Sequence, residues 1–261
     1  MRPAGVTALA VTAAGTQLAI ADADGTVRTF ALPLPAPPTD PVAAAPKPIK
    51  ELAGGGPIKA LVDTPALAGH LLAGSTDGTV RLWNLEGASV VRQFAHGGAL
   101  GGMALKPDAS RLATVGTVPG VKVWNVADGA LLRSHAVSFD TVFGGAWSPD
   151  GALVSFGLTD NTVRAIDVAS GAQVLQQGAH EDWVLDTVFS PKGDHVVSVG
   201  RDMTTKLTEL ATQRFVDNVT SITPGALRGG LSAIDRHPSL EQVVVGGSDG
   251  TPRVYRIHRH A

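Results

Sequence analysis

Short apolar runs, alternating with polar positions and closed by Gly, Pro, Asp or Asn, follow one another from Val6 to Tyr255. Period-two alternation in runs this short predicts β-strands, and the punctuation predicts tight turns between them. One stretch shows the scheme in full. Residues 143–148 read as an inner strand, Pro149-Asp150-Gly151 as a turn, 152–157 as the returning strand, Asp160-Asn161 as a second turn and 162–168 as a third strand. Ser170-Gly171 then leads to a fourth strand near 173–177. Pro presets φ, Gly and Asn accept positive φ, and Asp bonds nearby amides, so each turn has a physical cause. Strands joined in this way make an antiparallel meander. Ala104-Leu105 and residues 196–199 carry small and branched side chains on both faces, which predicts sheets packed on both sides.

The meander repeats. Asp24-Gly25-Thr26-Val27-Arg28 returns as Asp77-Gly78-Thr79-Val80-Arg81, Asp160-Asn161-Thr162-Val163-Arg164 and Asp249-Gly250-Thr251-Pro252-Arg253, with a worn copy at Asp202-Met203-Thr204-Thr205-Lys206. Six residues after each Asp stands Phe30, Trp83, Ile166 or Tyr255, with Thr208 in the worn copy. Pro107, Pro149 and Pro191 recur every 42 residues, the interval that also separates Asp160 from Asp202. A period of roughly 40 to 45 residues is that of four-stranded propeller blades. The fold class expected is therefore all-β: a propeller of six four-stranded blades, spanning about 6–53, 56–94, 95–134, 135–178, 179–222 and 226–258 within one domain of 261 residues.

Composition narrows the chemistry. Apolar residues make up 44% and charged residues 17%, which suits many short buried strands, and a net charge of −2 offers no basic field for nucleic acid or anionic lipid. The chain has no cysteine, which excludes disulfides, thiolate metal sites, thiol nucleophiles and covalent haem attachment. No uncharged apolar stretch is long enough to span a bilayer. The Ala- and Val-rich start imitates a secretion signal, but residues 6–30 read as a repeat around Ala14-Gly15 and Asp24-Gly25, and Thr7, Thr12, Thr16 and Gln17 interrupt its apolar centre.

Leu82-Trp83-Asn84, Val123-Trp124-Asn125, Ser148-Pro149-Asp150-Gly151 and Ser190-Pro191-Lys192-Gly193 resemble the recurring motifs of WD-repeat propellers, and the resemblance covers nearly the whole chain. More narrowly, residues 160–167, 179–189 and 245–250 resemble bacterial WD-repeat arrays often appended to cytochrome c-like domains. The chain itself has no haem motif, so an electron-transfer role would belong to another portion. The family resemblance implies a buried chain of hydrogen bonds in each blade, from a His through a Ser or Thr to the turn Asp and a Trp. The fifth repeat carries His180, Ser198 and Asp202, with Thr208 in place of Trp. The second has Asp77 and Trp83 without the His, the third His96 and Trp124 without the Asp, and the fourth Asp160 without the Trp. His180, Ser198 and Asp202 are also the residue types of a hydrolytic triad, but blade geometry accounts for their spacing. His258-Arg259-His260 reads as a tail, since a metal clamp needs further fixed ligands. No cofactor and no metal are expected.

Function is then expected at the rim, where loops between blades converge. Ala23, Thr76, Thr159, Arg201 and Ser248 precede the turn Asp residues, and Asp140, Asp182 and Trp183 open neighbouring inner strands. Trp183 and Arg201 are types enriched in binding hot spots. Asp140, Thr159, Asp182, Trp183 and Arg201 thus form the candidate binding rim; in the plainer alternative Trp183 packs under its own loop and Arg201 pairs with Asp182. Residues 32–48 hold seven prolines and predict an extended loop between two strands.

Inner-strand sequence begins at Val6 and the last repeat stops after its third strand, so neither terminal segment supplies a latch. The last blade is expected to lack its outer strand and to leave an unpaired edge, in a ring closed by packing alone or in an open arc of a larger propeller, the latter being favoured. Self-association through the terminal blades is one consequence. The function expected is a non-enzymatic scaffold for a protein or peptide partner, without nucleic acid or a membrane span; the chain is expected to be soluble, its compartment is left open by the sequence, and for the chain as given the cytoplasm is favoured. The alternative is a propeller-type hydrolase or lactonase, which needs a metal or several converging carboxylates and imidazoles.

Overall fold

The computed structural model describes residues 5–12, 15–34, 46–64, 67–118, 120–137, 140–178, 180–220 and 229–257, and among these described residues every regular element is a β-strand. Blade 1 comprises β1 (Val6–Val11), β2 (Gln17–Asp22), β3 (Thr26–Ala31) and β4 (Lys50–Ala53); blade 2 comprises β5 (Ile58–Asp63), β6 (His70–Ser75), β7 (Thr79–Asn84) and β8 (Ser89–Ala95). Blade 3 contains β9 (Leu100–Leu105), β10 (Arg111–Gly116), β11 (Val121–Asn125) and β12 (Leu131–His135), and blade 4 contains β13 (Val142–Trp147), β14 (Leu153–Leu158), β15 (Val163–Asp167) and β16 (Gln173–Gln177). Blade 5 follows with β17 (Val184–Phe189), β18 (His195–Gly200), β19 (Thr205–Glu209) and β20 (Phe215–Asn218), and blade 6 with β21 (Leu231–Arg236), β22 (Gln242–Gly247) and β23 (Arg253–Arg256). Strand order in every sheet is sequential, so each blade is an antiparallel meander, four-stranded in five cases and three-stranded in the sixth.

The recurring phrase is a turn with a fixed hydrogen bond. In all five copies the Asp side chain accepts from the backbone N–H two residues on, at Thr26, Thr79, Thr162, Thr204 and Thr251, over 2.8 to 3.1 Å. The intervening residue is left-handed each time, with φ of 85° at Gly25, 83° at Gly78, 67° at Asn161, 64° at Met203 and 70° at Gly250. Glycine and asparagine reach that conformation readily, whereas methionine adopts it only with steric strain, which makes Met203 the odd residue among the five.

Strand limits in blade 4 differ from the sequence reading by a residue or so at several ends. Ser148 leaves the strand because its hydroxyl joins the turn, bonding Asp150 and accepting from the Leu153 N–H at 2.9 Å. Inner strands are also less regular than alternation suggests. Register shifts occur near the start of β1, β5, β13, β17 and β21, and in β13 Gly144 and Gly145 provide the bulge. Gly144 is left-handed, with φ of 61°, and a Cβ there would lie 2.7 Å from the Asp186 backbone, so the bulge lets inner strands approach closely.

The chain divides into two compact units, Met1–Leu100 with Val126–Ala130, and Gly101–Asn125 with Leu131–Ala261. In the first, Ala19, Ala21 and Val27 of blade 1 pack on Ile58, Leu61, Leu71, Ala73 and Trp83 of blade 2. In the second, the same relation recurs: Val163, Ala165 and Leu175 of blade 4 meet Phe189 and Val196 of blade 5, and Val197, Val199 and Leu207 of blade 5 meet Leu231, Ile234, Val243 and Val245 of blade 6. In each of these pairs one face of a blade meets the opposite face of its successor. The proline-rich insertion lies between β3 and β4; its centre, and the tail His258-Arg259-His260, fall outside the described residues.

Candidate functional site

Blade 5 holds the densest polar network. The imidazole of His180 is buried, with Nδ1 at 3.0 and 3.1 Å from the two Asp202 carboxylate oxygens and Nε2 at 2.8 Å from the Ser198 hydroxyl. A carboxylate only accepts, so Nδ1 carries the proton. Asp202 also accepts from the N–H of Glu181 at 3.0 Å and from the N–H and hydroxyl of Thr204. Burial pushes its carboxyl upward, but the donors around it, His180 foremost, hold it down at about 2. Gly200 completes the packing: a Cβ there would lie 2.8 Å from the Trp183 carbonyl and 2.9 Å from His180 Nδ1.

This buried cluster positions a surface. Glu181 is tied to Asp202 by its amide, and Trp183 is tied to the same turn because its carbonyl accepts from the Arg201 N–H at 3.0 Å. The Arg201 guanidinium lies 4.6 Å from the centroid of the Trp183 ring, and its Nε is 3.7 Å from the Asp182 carboxylate. On blade 4, Phe143 stacks against Trp183 with centroids 6.0 Å apart and planes 25° from parallel. Phe143, Trp183 and Arg201 thus form one continuous shelf, and Trp183 remains 39% exposed within it. The alternatives posed by the sequence are not exclusive: Arg201 does lie beside Asp182, yet half of its side chain is open to solvent. Asp140 is exposed just before β13, and Thr159 is half-buried in the turn after β14, with its N–H directed to the Thr141 carbonyl at 3.4 Å.

Sequence reasoning missed Phe143 and the basic residue that ends the turn phrase. Phe143 has no aromatic counterpart in the other repeats, so nothing periodic marks it. The base is marked in every copy. Arg81 pairs with Asp77 at 2.7 Å, Arg253 with Asp249 at 2.7 Å, Arg28 with Asp24 at 3.7 Å, and Arg164 with Asp160. Arg81 also donates to the Gly54 carbonyl at 2.6 Å, and Arg164 to that of Val137 at 2.9 Å. These arginines tie the turn to the segment before the inner strand, the task performed by His180 in blade 5. The exchange has a steric basis. Gly55 stands 22 residues before Asp77, as His180 stands before Asp202, and a Cβ at Gly55 would lie 2.6 Å from Arg81 Nη2.

The remaining network residues divide by blade. Trp124 Nε1 donates to the buried Thr114 hydroxyl at 2.9 Å, whereas Trp83 Nε1 is buried and has no hydrogen-bond partner among the described residues. The difference lies on the second strand, where Ala73 of β6 occupies the register of Thr114 in β10. His96 is fully buried ahead of β9. Among the described residues, no three or more His, Cys, Asp or Glu side chains gather as metal ligands would, and no helix is long and apolar enough to cross a membrane.

Comparison with known proteins agrees with this architecture. Residues 47–84 and 171–208 match the family model described as WD domain, G-beta repeat. Protein groucho of Drosophila melanogaster is 29% identical over 185 residues, covering 70% of this chain and 24% of its own length. Apoptotic protease-activating factor 1 of Rattus norvegicus is 28% identical over 141 residues, covering 50% of this chain and 11% of its own. Eukaryotic translation initiation factor 3 subunit I of Emericella nidulans is 26% identical over 193 residues, with coverages of 68% and 55%. The chain spans from about a tenth to just over half the length of these relatives. Among solved structures, the WD40 beta propeller domain of Doa1 superposes with a TM-score of 0.79 at 17% identity, covering 97% of this chain and 79% of that one. The fold is a six-bladed β-propeller with three strands in its last blade, and two of its segments match the WD repeat model. These relatives are eukaryotic, so the narrower likeness to bacterial arrays rests on sequence motifs alone.

Proposed function

We propose that this chain is a non-enzymatic platform for a protein or peptide partner, and that the partner docks on the shelf of Phe143, Trp183 and Arg201, flanked by Asp140, Thr159 and Asp182. One observation carries the reading. Trp183 is held by a ring on one blade, a guanidinium on the other and a backbone bond, yet 39% of it faces solvent. An aromatic side chain already fixed in place loses little conformational freedom on binding, which is what a contact anchor requires. Asp182 places a carboxylate at the edge of this shelf, which favours a partner segment carrying a basic or amide group. The WD-type repeats support the same role.

The hydrolase alternative has the row Ser198, His180, Asp202 as its nearest counterpart. Ser198 is 1% exposed and His180 is buried, so a substrate has no access to the hydroxyl. The row serves as a positioning device for the 181–183 segment.

The test is quantitative affinity capture from native lysate with the wild-type protein and with Trp183→Ala and Arg201→Glu. Both variants should keep the wild-type β-sheet circular dichroism and lose the same subset of partners. Identical partner sets for all three proteins would refute the site.

A further inference from the structure

On the Trp183 shelf the Asp182 carboxylate and the Arg201 guanidinium stand side by side without bonding each other. Arg201 Nε lies 3.7 Å from Asp182 Oδ2, an ion-pair separation too long for a hydrogen bond. Both groups are nevertheless fixed in place. Asp182 Oδ1 accepts from the Trp183 N–H at 2.7 Å, which leaves Oδ2 beside the guanidinium, and the guanidinium carbon rests 4.6 Å from the centroid of the Trp183 ring. The Arg201 backbone N–H is used by the Trp183 carbonyl, but among the described residues the Arg201 side chain makes no hydrogen bond. Both side chains are open to solvent, at 49% for Arg201 and 40% for Asp182. The shelf therefore offers an acceptor and a fork of donors next to each other, each with bonding capacity that the protein leaves unused.

Such a pair selects a group that carries a donor and an acceptor on one edge. A carboxylate only accepts, so it would meet Asp182 as a like charge; an ammonium or guanidinium only donates, and would meet Arg201 in the same way. A trans peptide unit has both functions, but its N–H and C=O point in opposite directions. A Ser or Thr hydroxyl combines them on one atom at the end of a short stem, and leaves the aromatic surface beside it uncovered. The primary carboxamide presents C=O and N–H together: its oxygen accepts from Arg201 and its nitrogen donates to Asp182 Oδ2. It is uncharged, which suits a pair whose own charges cancel. Glutamine adds two methylenes to that group, enough apolar stem to lie along the exposed part of Trp183 and the neighbouring Phe143 ring.

We infer that the shelf reads a glutamine side chain of the partner segment, with Asp182 and Arg201 as the specificity-determining pair and Trp183 as the surface on which the stem packs. The inference rests on the docking site proposed above and names the group that the site recognises. Discrimination comes from the unused groups: a side chain that matches only one of them leaves the other without a partner after water is displaced, which costs more than a matched bond contributes.

Selection from a phage-displayed library of random heptapeptides tests it on the full chain. Clones that bind the wild-type protein and fail to bind Trp183→Ala should share a glutamine. In synthetic peptides made from those clones, replacing that glutamine by glutamate, lysine or serine should weaken binding about tenfold or more in titration calorimetry. Exchanging the protein's charges should exchange the preference: Arg201→Glu leaves two carboxylates and should favour the lysine peptide, and Asp182→Lys leaves two cations and should favour the glutamate peptide. The peptide substitutions need no altered protein, so the result does not depend on how either charge variant folds. Trp183-dependent clones that share an acidic or basic residue instead, or no residue at all, would overturn the inference and leave the docking shelf standing. A selection that yields no Trp183-dependent clone would overturn both.

Discussion

Arg201 covers part of Trp183, its guanidinium carbon 4.6 Å from the ring centroid, and thereby shields an indole that remains 39% exposed. A cation over an exposed ring contributes about 0.5–1 kcal/mol. The other three tryptophans, Trp83, Trp124 and Trp147, are 6% exposed or less. Acrylamide quenching should therefore report mainly on position 183. Trp183→Phe should remove the quencher-accessible part of the emission, and Arg201→Ala should increase quenching while lowering stability by no more than about 1 kcal/mol.

Asp202 links this surface to acid stability. Its folded-state pKa of about 2 lies below the unfolded value of roughly 3.9, so its contribution is fully present above the unfolded pKa and is lost as pH falls through the folded one. The separation corresponds to about 2 kcal/mol. Asp202→Asn should cost about that much at pH 7 in urea denaturation, and the gap to wild type should close between about pH 4 and pH 2. A gap that stays constant across this range would show that His180 and the surrounding amides do not favour the carboxylate.

The orphaned indole of Trp83 sets up a contrast. Trp124 has Thr114 as acceptor, so Trp124→Phe should cost about 1 kcal/mol more than Trp83→Phe, which deletes an N–H with nothing to bond. Ala73→Ser supplies the missing hydroxyl at the register of Thr114 and should raise stability by up to about 1 kcal/mol, an effect that vanishes in the Trp83→Phe background. A double-mutant cycle in thermal unfolding measures it.

Met203 occupies the left-handed position that Gly or Asn fills in the other turns, with φ of 64°. Its side chain is 40% exposed, so little packing is lost on removal. Met203→Gly should raise stability by about 0.5–1 kcal/mol, read as a shift in denaturation midpoint.

The repeat was legible because its cause is local. A turn that needs Asp for the amide two residues on and a positive φ between them writes the same letters wherever it occurs, and four strands of fixed length set the spacing. The hydrogen-bonded row of blade 5 was legible through the family resemblance, which implies His, Ser and Asp at the positions of His180, Ser198 and Asp202. What escaped the sequence depends on a neighbour. Phe143 reaches Trp183 only because two blades meet there, at a position where the other copies hold Thr7, Lys59, Gly101, Leu185 and Ser232. The arginine of the turn phrase was visible, but its ion pair and its reach to the preceding loop follow from a folded turn whose open side, as at Gly55, leaves room for a guanidinium.

Site-specific photocrosslinking addresses the proposed docking shelf most directly. A benzophenone amino acid placed at Arg201 in the native cell should form covalent adducts with a discrete partner, while the same group at Leu131, exposed on the outer strand β12, should not form them. Adducts of the same mass and yield from both positions, or none from position 201 with the protein folded, would contradict the assignment of this surface.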